Sequence, residues 1–182
     1  MIFTETTLKD AFLIDLEPRG DARGFFARSF CRDEFAQHGL VTQYVQTNTS
    51  LTEEKGTLRG LHFQRGEFAE AKLMRCTRGS ILDVIVDLRG VSPTYLKHEM
   101  FELTDRNRRQ LYVPPGFAHC FLTLTDEVEV CYPVSSPYTP HAEGGVRYDD
   151  PLLGITMPIP VTTVSEKDRS WPSLDKNAPP IF

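Results

Sequence analysis

Four short segments of this chain gather the side chains able to move protons or hold an anion. The first is Gly20-Asp21-Ala22-Arg23-Gly24-Phe25-Phe26. The second runs Gly56-Thr57-Leu58-Arg59-Gly60-Leu61-His62-Phe63-Gln64, with Lys72 a little further on. The third is Pro114-Pro115-Gly116-Phe117-Ala118-His119, and the fourth is Ser165-Glu166-Lys167-Asp168. Histidine titrates nearest neutrality, so His62 and His119 are the natural general bases or metal ligands of the set. Arg23 and Arg59 carry planar forks that match phosphate oxygens two bonds at a time. Taken singly, each residue also has an ordinary reading. A lone histidine is as a rule a core residue bonded to backbone. Asp168 reads as a surface charge on a short helix, and Lys72 as a solvated strand-edge residue. Tyr132 reads as a core aromatic with a bonded hydroxyl. Arg23 beside Gly24 is turn chemistry, and Phe25 and Phe26 read as core and pocket wall.

The elements that must place these groups read mostly as short strands. Tyr44 to Ser50 alternates, and Ile81 to Leu88 is rich in β-branched residues and ends at Arg89-Gly90. Gln110 to Val113 is stopped by Pro114-Pro115-Gly116. Glu127 to Tyr132 alternates charged and apolar residues, which puts Val128, Val130 and Tyr132 on one face. Arg32 to His38 reads as a helix with Gly39 as its stop. From Asp149 onward the chain is Pro-rich and irregular, with a short helix around Ser165 to Arg169 that Ser165 caps. Closely spaced strands with Gly/Pro turns predict an all-β sandwich or barrel with a few short helices. No repeat or linker divides residues 1–182, so one domain is expected.

A net charge of -5 argues against a surface for nucleic acid or membrane, since those carry a basic face. An anionic ligand must therefore meet a local group of arginines. Cys31, Cys76, Cys120 and Cys131 show no C-x-x-C spacing and read as inert, reduced thiols in a reducing compartment. Residues 1–16 are interrupted by Glu5, Lys9, Asp10 and Asp15, unlike a signal peptide, and no apolar run is long enough to span a bilayer. A cytoplasmic protein is expected.

Gly56 and His62 with five residues between them, and Pro114 and Gly116 ahead of His119, resemble the two-part skeleton of the cupin jelly roll. Metal-binding cupins place a second histidine two residues after the first, and then a glutamate. Here the second position is Gln64, and neither Glu67 nor Glu70 takes the third. Glutamine is a poor ligand for transition metals, so no metal is expected. The two histidines then need another task.

Arg59-Gly60-Leu61-His62-Phe63-Gln64, with Arg23-Gly24-Phe25-Phe26 and Pro115-Gly116-Phe117-Ala118-His119, resembles the dTDP-4-dehydrorhamnose 3,5-epimerase family. Gln46, Asn48, Lys72, Tyr132, Tyr138, Glu143 and Ser165-Glu166-Lys167-Asp168 follow in the family's order, and the likeness runs from about Arg19 to Trp171. It implies a jelly-roll homodimer that needs no cofactor and acts on a dTDP-activated 4-keto-6-deoxy sugar. It implies roles as well. His62 matches the base, Asp168 its orienting carboxylate, Tyr132 the acid on the opposite sugar face, and Lys72 the partner of the developing enolate. Arg23 and Arg59 match diphosphate contacts, and Tyr138 the ring stacked on the nucleobase. Phe26, Gln46, Asn48, His119, Glu143 and Lys167 match further substrate contacts. Arg28 stands at one more, where the family often has an acid. Thr47, Cys120 and Pro133 also depart from the frequent residues.

The chemistry makes the same demands. Inverting a carbon beside a ketone removes a weakly acidic C–H proton, which suits a histidine base held by a carboxylate. The enolate oxygen needs a positive partner, and inversion needs a second acid on the far face. Two rivals remain open on sequence alone: an enzyme that inverts a single carbon or uses another nucleotide, and a non-catalytic sugar-nucleotide binder. A metal cupin such as a dioxygenase is disfavoured by Gln64.

Overall fold

The computed structural model describes residues 1–182. Its strands are β1 (Ile2–Glu5), β2 (Phe12–Asp15), β3 (Arg19–Asp21), β4 (Gly24–Phe26), β5 (Gln46–Thr52), β6 (Thr57–Gln64) and β7 (Lys72–Arg78). They continue as β8 (Ser80–Asp87), β9 (His98–Thr104), β10 (Gln110–Val113), β11 (Phe117–Thr123), β12 (Val128–Val134), β13 (Glu143–Gly145) and β14 (Thr163–Val164). Two short helices, α1 (Arg32–Gln37) and α2 (Glu166–Ser170), complete the chain with a 3₁₀ turn at Gly66–Phe68.

Two antiparallel sheets face each other. One runs β1-β2-β10-β7-β12-β5, and the other β13-β6-β11-β8-β9 with β14 parallel to β6. This is the all-β jelly roll expected, with neighbours in each sheet drawn from distant parts of the chain. Period-two alternation fills the space between the sheets: Met74 and Cys76 from β7, Val128 and Val130 from β12, Ile81 and Ile85 from β8, and Phe117 and Phe121 from β11 form one buried cluster. Tyr132 packs against that cluster, as the Val128-Val130-Tyr132 alternation predicts.

β8 is apolar on both faces because its outer face is covered as well. Val84 and Val86 pack with Ala118, Cys120 and Leu122, and the irregular C-terminal stretch lays Ile155, Met157, Ile159 and Val161 over them. The Pro-rich tail is therefore a sheet cover that delivers α2 to β6. A third cluster centres on Phe35 of α1, which packs with Phe12, Ile14, Leu73 and Tyr112 on the outside of the first sheet.

Element positions differ from the sequence reading at their ends. β5 begins at Gln46 and not Tyr44, whose ring instead packs edge-on against Phe30. β12 continues through Pro133 to Val134. β8 starts at Ser80 and stops at Asp87, whose carboxylate holds Arg89. Cys76 and Cys120 are buried, whereas Cys31 and Cys131 are only half-buried. Phe25 and Phe26 are not core: they are 48% and 73% exposed on the β3–β4 hairpin, away from the main cavity.

Candidate active site

A cavity of about 440 Å³ opens between the sheets, lined by Arg59, His62 and His119 from the second sheet, Lys72 and Tyr132 from the first, and Asp168 from α2. A recess of about 150 Å³ shares His62, Lys72 and Tyr132 with it and adds Gln46, Asn48 and Glu70.

Asp168 reaches His62 because α2 is anchored twice. The Ser165 hydroxyl accepts a bond from the Asp168 backbone N–H at 3.1 Å, which caps the helix as its sequence predicts. The preceding strand β14 zips onto Thr57 and Leu58 of β6. The carboxylate then places Oδ1 2.5 Å from His62 Nε2, while Oδ2 accepts the Gly60 N–H at 3.1 Å. Burial pushes the Asp168 carboxyl up, but its bonds to His62, Gly60 and Ser165 outweigh that and hold it below the usual carboxylate range. Asp168 is 4% exposed, so its reading as a surface charge fails. His62 Nδ1 keeps no protein partner, and the ring is one-third exposed to the cavity.

His62 and Arg59 share the cavity through an irregularity in β6. His62 pairs with His119 and Arg59 with Phe121, so three steps on β6 match two on β11. A regular strand would send residues 59 and 62 to opposite faces. Gly60 makes the kink possible. Its φ of +121° suits glycine, and a Cβ there would strike the His119 carbonyl oxygen and the Cys120 side chain. Cys120 therefore fills the space behind Gly60, and full burial raises its thiol well above the ordinary value.

The opposite wall carries Lys72 and Tyr132. Lys72 is buried on the face of Met74 and Cys76, not solvated at an edge, with Nζ 3.3 Å from Glu70 Oε1. Tyr132 pairs with Asn48 across β12 and β5. Burial raises its phenol above the ordinary value, and the negative charge of Glu70 adds to this while Arg59 opposes it. Pro133 leaves Tyr132 on the Val130 face, and Thr47 points outward between Gln46 and Asn48. The Gln46 amide donates to Asn48 Oδ1 at 2.7 Å, and its carbonyl accepts the Tyr138 N–H at 3.2 Å. At the rim the Tyr138 hydroxyl donates to Glu143, whose two oxygens hold Lys167 Nζ at 2.6 and 2.7 Å. Burial works against Glu143, but Lys167 and Tyr138 hold its carboxyl below the usual range, and Glu143 raises Lys167 in turn.

At the cupin metal positions the Gln64 side chain is engaged by protein. Gln64 Nε2 lies 3.1–3.2 Å from Phe68 O, Glu70 Oε2 and Pro137 O, and its Oε1 accepts the Thr139 N–H at 2.6 Å. His119 Nε2 stands 2.8 Å from Asp83 Oδ1, at an angle outside hydrogen-bond geometry.

A family described as dTDP-4-dehydrorhamnose 3,5-epimerase matches residues 5–176. An enzyme of that name from Sinorhizobium fredii is 45% identical, over 96% of this chain and 90% of its own. One from Methanothermobacter thermautotrophicus is 43% identical over 99% and 97%. A crystal structure of the Bacillus anthracis enzyme, with TDP and PPi bound, superposes with a TM-score of 0.91 at 41% identity, covering 95% of this chain and 99% of that one. The chain belongs to the dTDP-4-dehydrorhamnose 3,5-epimerase family. It is an isomerase-class enzyme with a cupin-like jelly roll.

In this epimerase, eleven of the fourteen site residues expected from sequence line the cavity or its recess: His62, Tyr132, Asp168, Lys72, Gln46, Asn48, Arg59, His119, Tyr138, Glu143 and Lys167. Three stand elsewhere in the same chain. Arg23 and Phe26 line a shallow depression on the β3–β4 hairpin, where Arg23 forks onto Asp21. Arg28 pairs with Glu34 of α1 at 2.8 Å. Two carboxylates of the site went unread in the sequence. In the sequence Glu70 reads only against a metal-ligand position, and Asp83 as part of an apolar strand. An aspartate inside a β-branched run was the signal for Asp83, because such a buried charge needs a partner.

Proposed function

We propose that this epimerase acts as one 182-residue domain on a dTDP-4-keto-6-deoxy sugar, converting dTDP-4-dehydro-6-deoxyglucose to dTDP-4-dehydrorhamnose. One observation carries the reading: His62 with Asp168 and Tyr132 with Lys72 line one cavity from opposite sheets. A sugar ring held between them meets a base on one face and an acid on the other, as inversion requires.

In the proposed reaction His62 Nδ1 takes the proton from the carbon beside the ketone. Asp168 fixes the ring and stabilises the imidazolium. The C–H electron pair moves into an enolate whose oxygen faces the Lys72 ammonium. The Tyr132 hydroxyl returns a proton to the far face of the carbon, and its raised affinity keeps that proton available until the enolate forms. The imidazolium then loses its proton to solvent and the Tyr132 phenolate regains one, and the cycle repeats at the second carbon. Arg59 holds the diphosphate, Tyr138 stacks on the base, and Gln46, Asn48, His119, Glu143 and Lys167 fix the remaining polar groups.

We infer further that the working form is a homodimer. Arg23, Phe26 and Arg28 match substrate contacts but lie away from their own chain's cavity, and the hairpin exposes Phe25 and Phe26. A second copy brings that hairpin to the cavity and covers its rings. A cytoplasmic location is inferred from the four free thiols. No helix is long and apolar enough to cross a membrane.

The test is incubation with dTDP-4-keto-6-deoxyglucose in deuterated water, followed by NMR. Label at C3 and C5 with both centres inverted is the expected outcome. Label at one carbon alone places the chain with single-carbon epimerases, and no label leaves a binder. Light scattering at twice the 20.7 kDa of one chain is expected for the dimer.

A further inference from the structure

We propose that Glu70 is a positioning residue of this epimerase: held by Gln64, its carboxylate fixes the Lys72 ammonium at the cavity wall and keeps the Tyr132 side of the site proton-donating. The inference rests on the reaction proposed above.

Glu70 sits between the 3₁₀ turn and β7, with a side chain 12% exposed beside a Lys72 side chain 10% exposed. Each of its oxygens has a distinct partner. Oε1 lies 3.3 Å from Lys72 Nζ, and Oε2 accepts from Gln64 Nε2 at 3.1 Å. Gln64 is itself tied to the turn at Phe68 and to the loop at Pro137 and Thr139, so the carboxylate is pinned from two sides. Lysine carries its charge on a flexible four-carbon stem. To stabilise an enolate without reorganising, that charge must be in place before the reaction, and Glu70 is its one ion-pair partner. This gives Gln64 a task in the cupin position where a metal ligand would stand.

Glu70 also balances charge around the phenol. Glu70 faces Tyr132 from the loop before β7, Lys72 from the start of β7, Arg59 and His62 from β6, His119 from β11, and Glu143 from β13. Arg59 and Lys72 are cations and favour a phenolate. Glu70 opposes them and so favours the protonated acid, in line with its contribution to the raised Tyr132 affinity.

The test compares the parent chain with Glu70→Gln and Glu70→Asp across pH. Glu70→Gln keeps the shape and the Gln64 contact but removes the charge. Its kcat is expected to fall about tenfold, equivalent to about 1.4 kcal/mol. The basic limb of its kcat profile is expected to move to lower pH by about half a unit or more, since one charge near a titrating group shifts it on that scale. Glu70→Asp keeps the charge but draws it back from Lys72, so kcat falls while the basic limb stays near the parent position. Parent-like kcat and an unmoved limb in Glu70→Gln overturn the proposal. If Glu70→Gln fails to fold, parent-like kcat in Glu70→Asp overturns it, and a lowered kcat with an unmoved limb upholds it. A parent chain that leaves the sugar unchanged removes the reaction itself, an outcome distinct from variants that match an active parent.

Discussion

Arg59 and His62 lie three residues apart on one strand and yet face one cavity. The relation depends on Gly60, whose positive φ and contact with the β11 backbone leave no room for a side chain. Gly60→Ala is therefore expected to cost about 2–4 kcal/mol, combining backbone strain with overpacking. It should also loosen Asp168, which accepts the Gly60 N–H. Urea unfolding of the purified variant measures this. A parent-like midpoint contradicts the account of the kink.

Placement on opposite sheets separates the roles of His62 and Tyr132. His62→Ala is expected to lose both solvent exchange and epimerisation, by about 10²–10⁴-fold. Tyr132→Phe is expected to keep exchange, because His62 still removes the proton, but to return it from the same face with configuration retained. NMR in deuterated water reads label and stereochemistry together. Epimerisation surviving in His62→Ala overturns the base assignment. Parent-rate inversion in Tyr132→Phe removes the phenol.

Arg59 is held by Thr52 Oγ1 and the Leu51 carbonyl, and its side chain is exposed to the cavity mouth. Arg59→Ala should leave the fold largely intact and weaken dTDP binding. A charge-assisted bond to phosphate is worth about 1.5–3 kcal/mol, or roughly one to two decades of affinity. Calorimetric titration with dTDP measures it, and unchanged affinity in the folded variant takes Arg59 out of the diphosphate site.

Asp168 links stability to pH. Its carboxyl is held below the usual range in the folded chain. Stability from this source is fully present above the unfolded value and is lost as pH falls through the lower folded one. The advantage of the parent over Asp168→Asn should therefore shrink as pH drops below about 4. Denaturant midpoints taken from pH 6 downward measure it. A difference that stays constant to the acid limit would mean that the carboxylate carries no pH-linked stability. The same variant should lose epimerisation by about 10²–10⁴-fold, because His62 loses the carboxylate that orients it.

Much of this molecule was legible in the order of its residues. Period-two alternation put Val128, Val130 and Tyr132 on one face, and Ser165 announced the cap of α2, because both signals are local. The resemblance located the family. Tertiary structure decided what depends on two distant segments. Strand alternation separates Arg59 from His62, and only a kink packed against Cys120 reunites them. Lys72 looks like an edge residue until β7 takes its place between β10 and β12, which buries the side chain and makes Glu70 its counter-charge. Asp168 looks like a surface charge until the apolar C-terminal cover carries α2 onto β6. Burial and charge pairing are set by whatever packs across the sheet. A sequence names the groups, and the fold sets which of them meet.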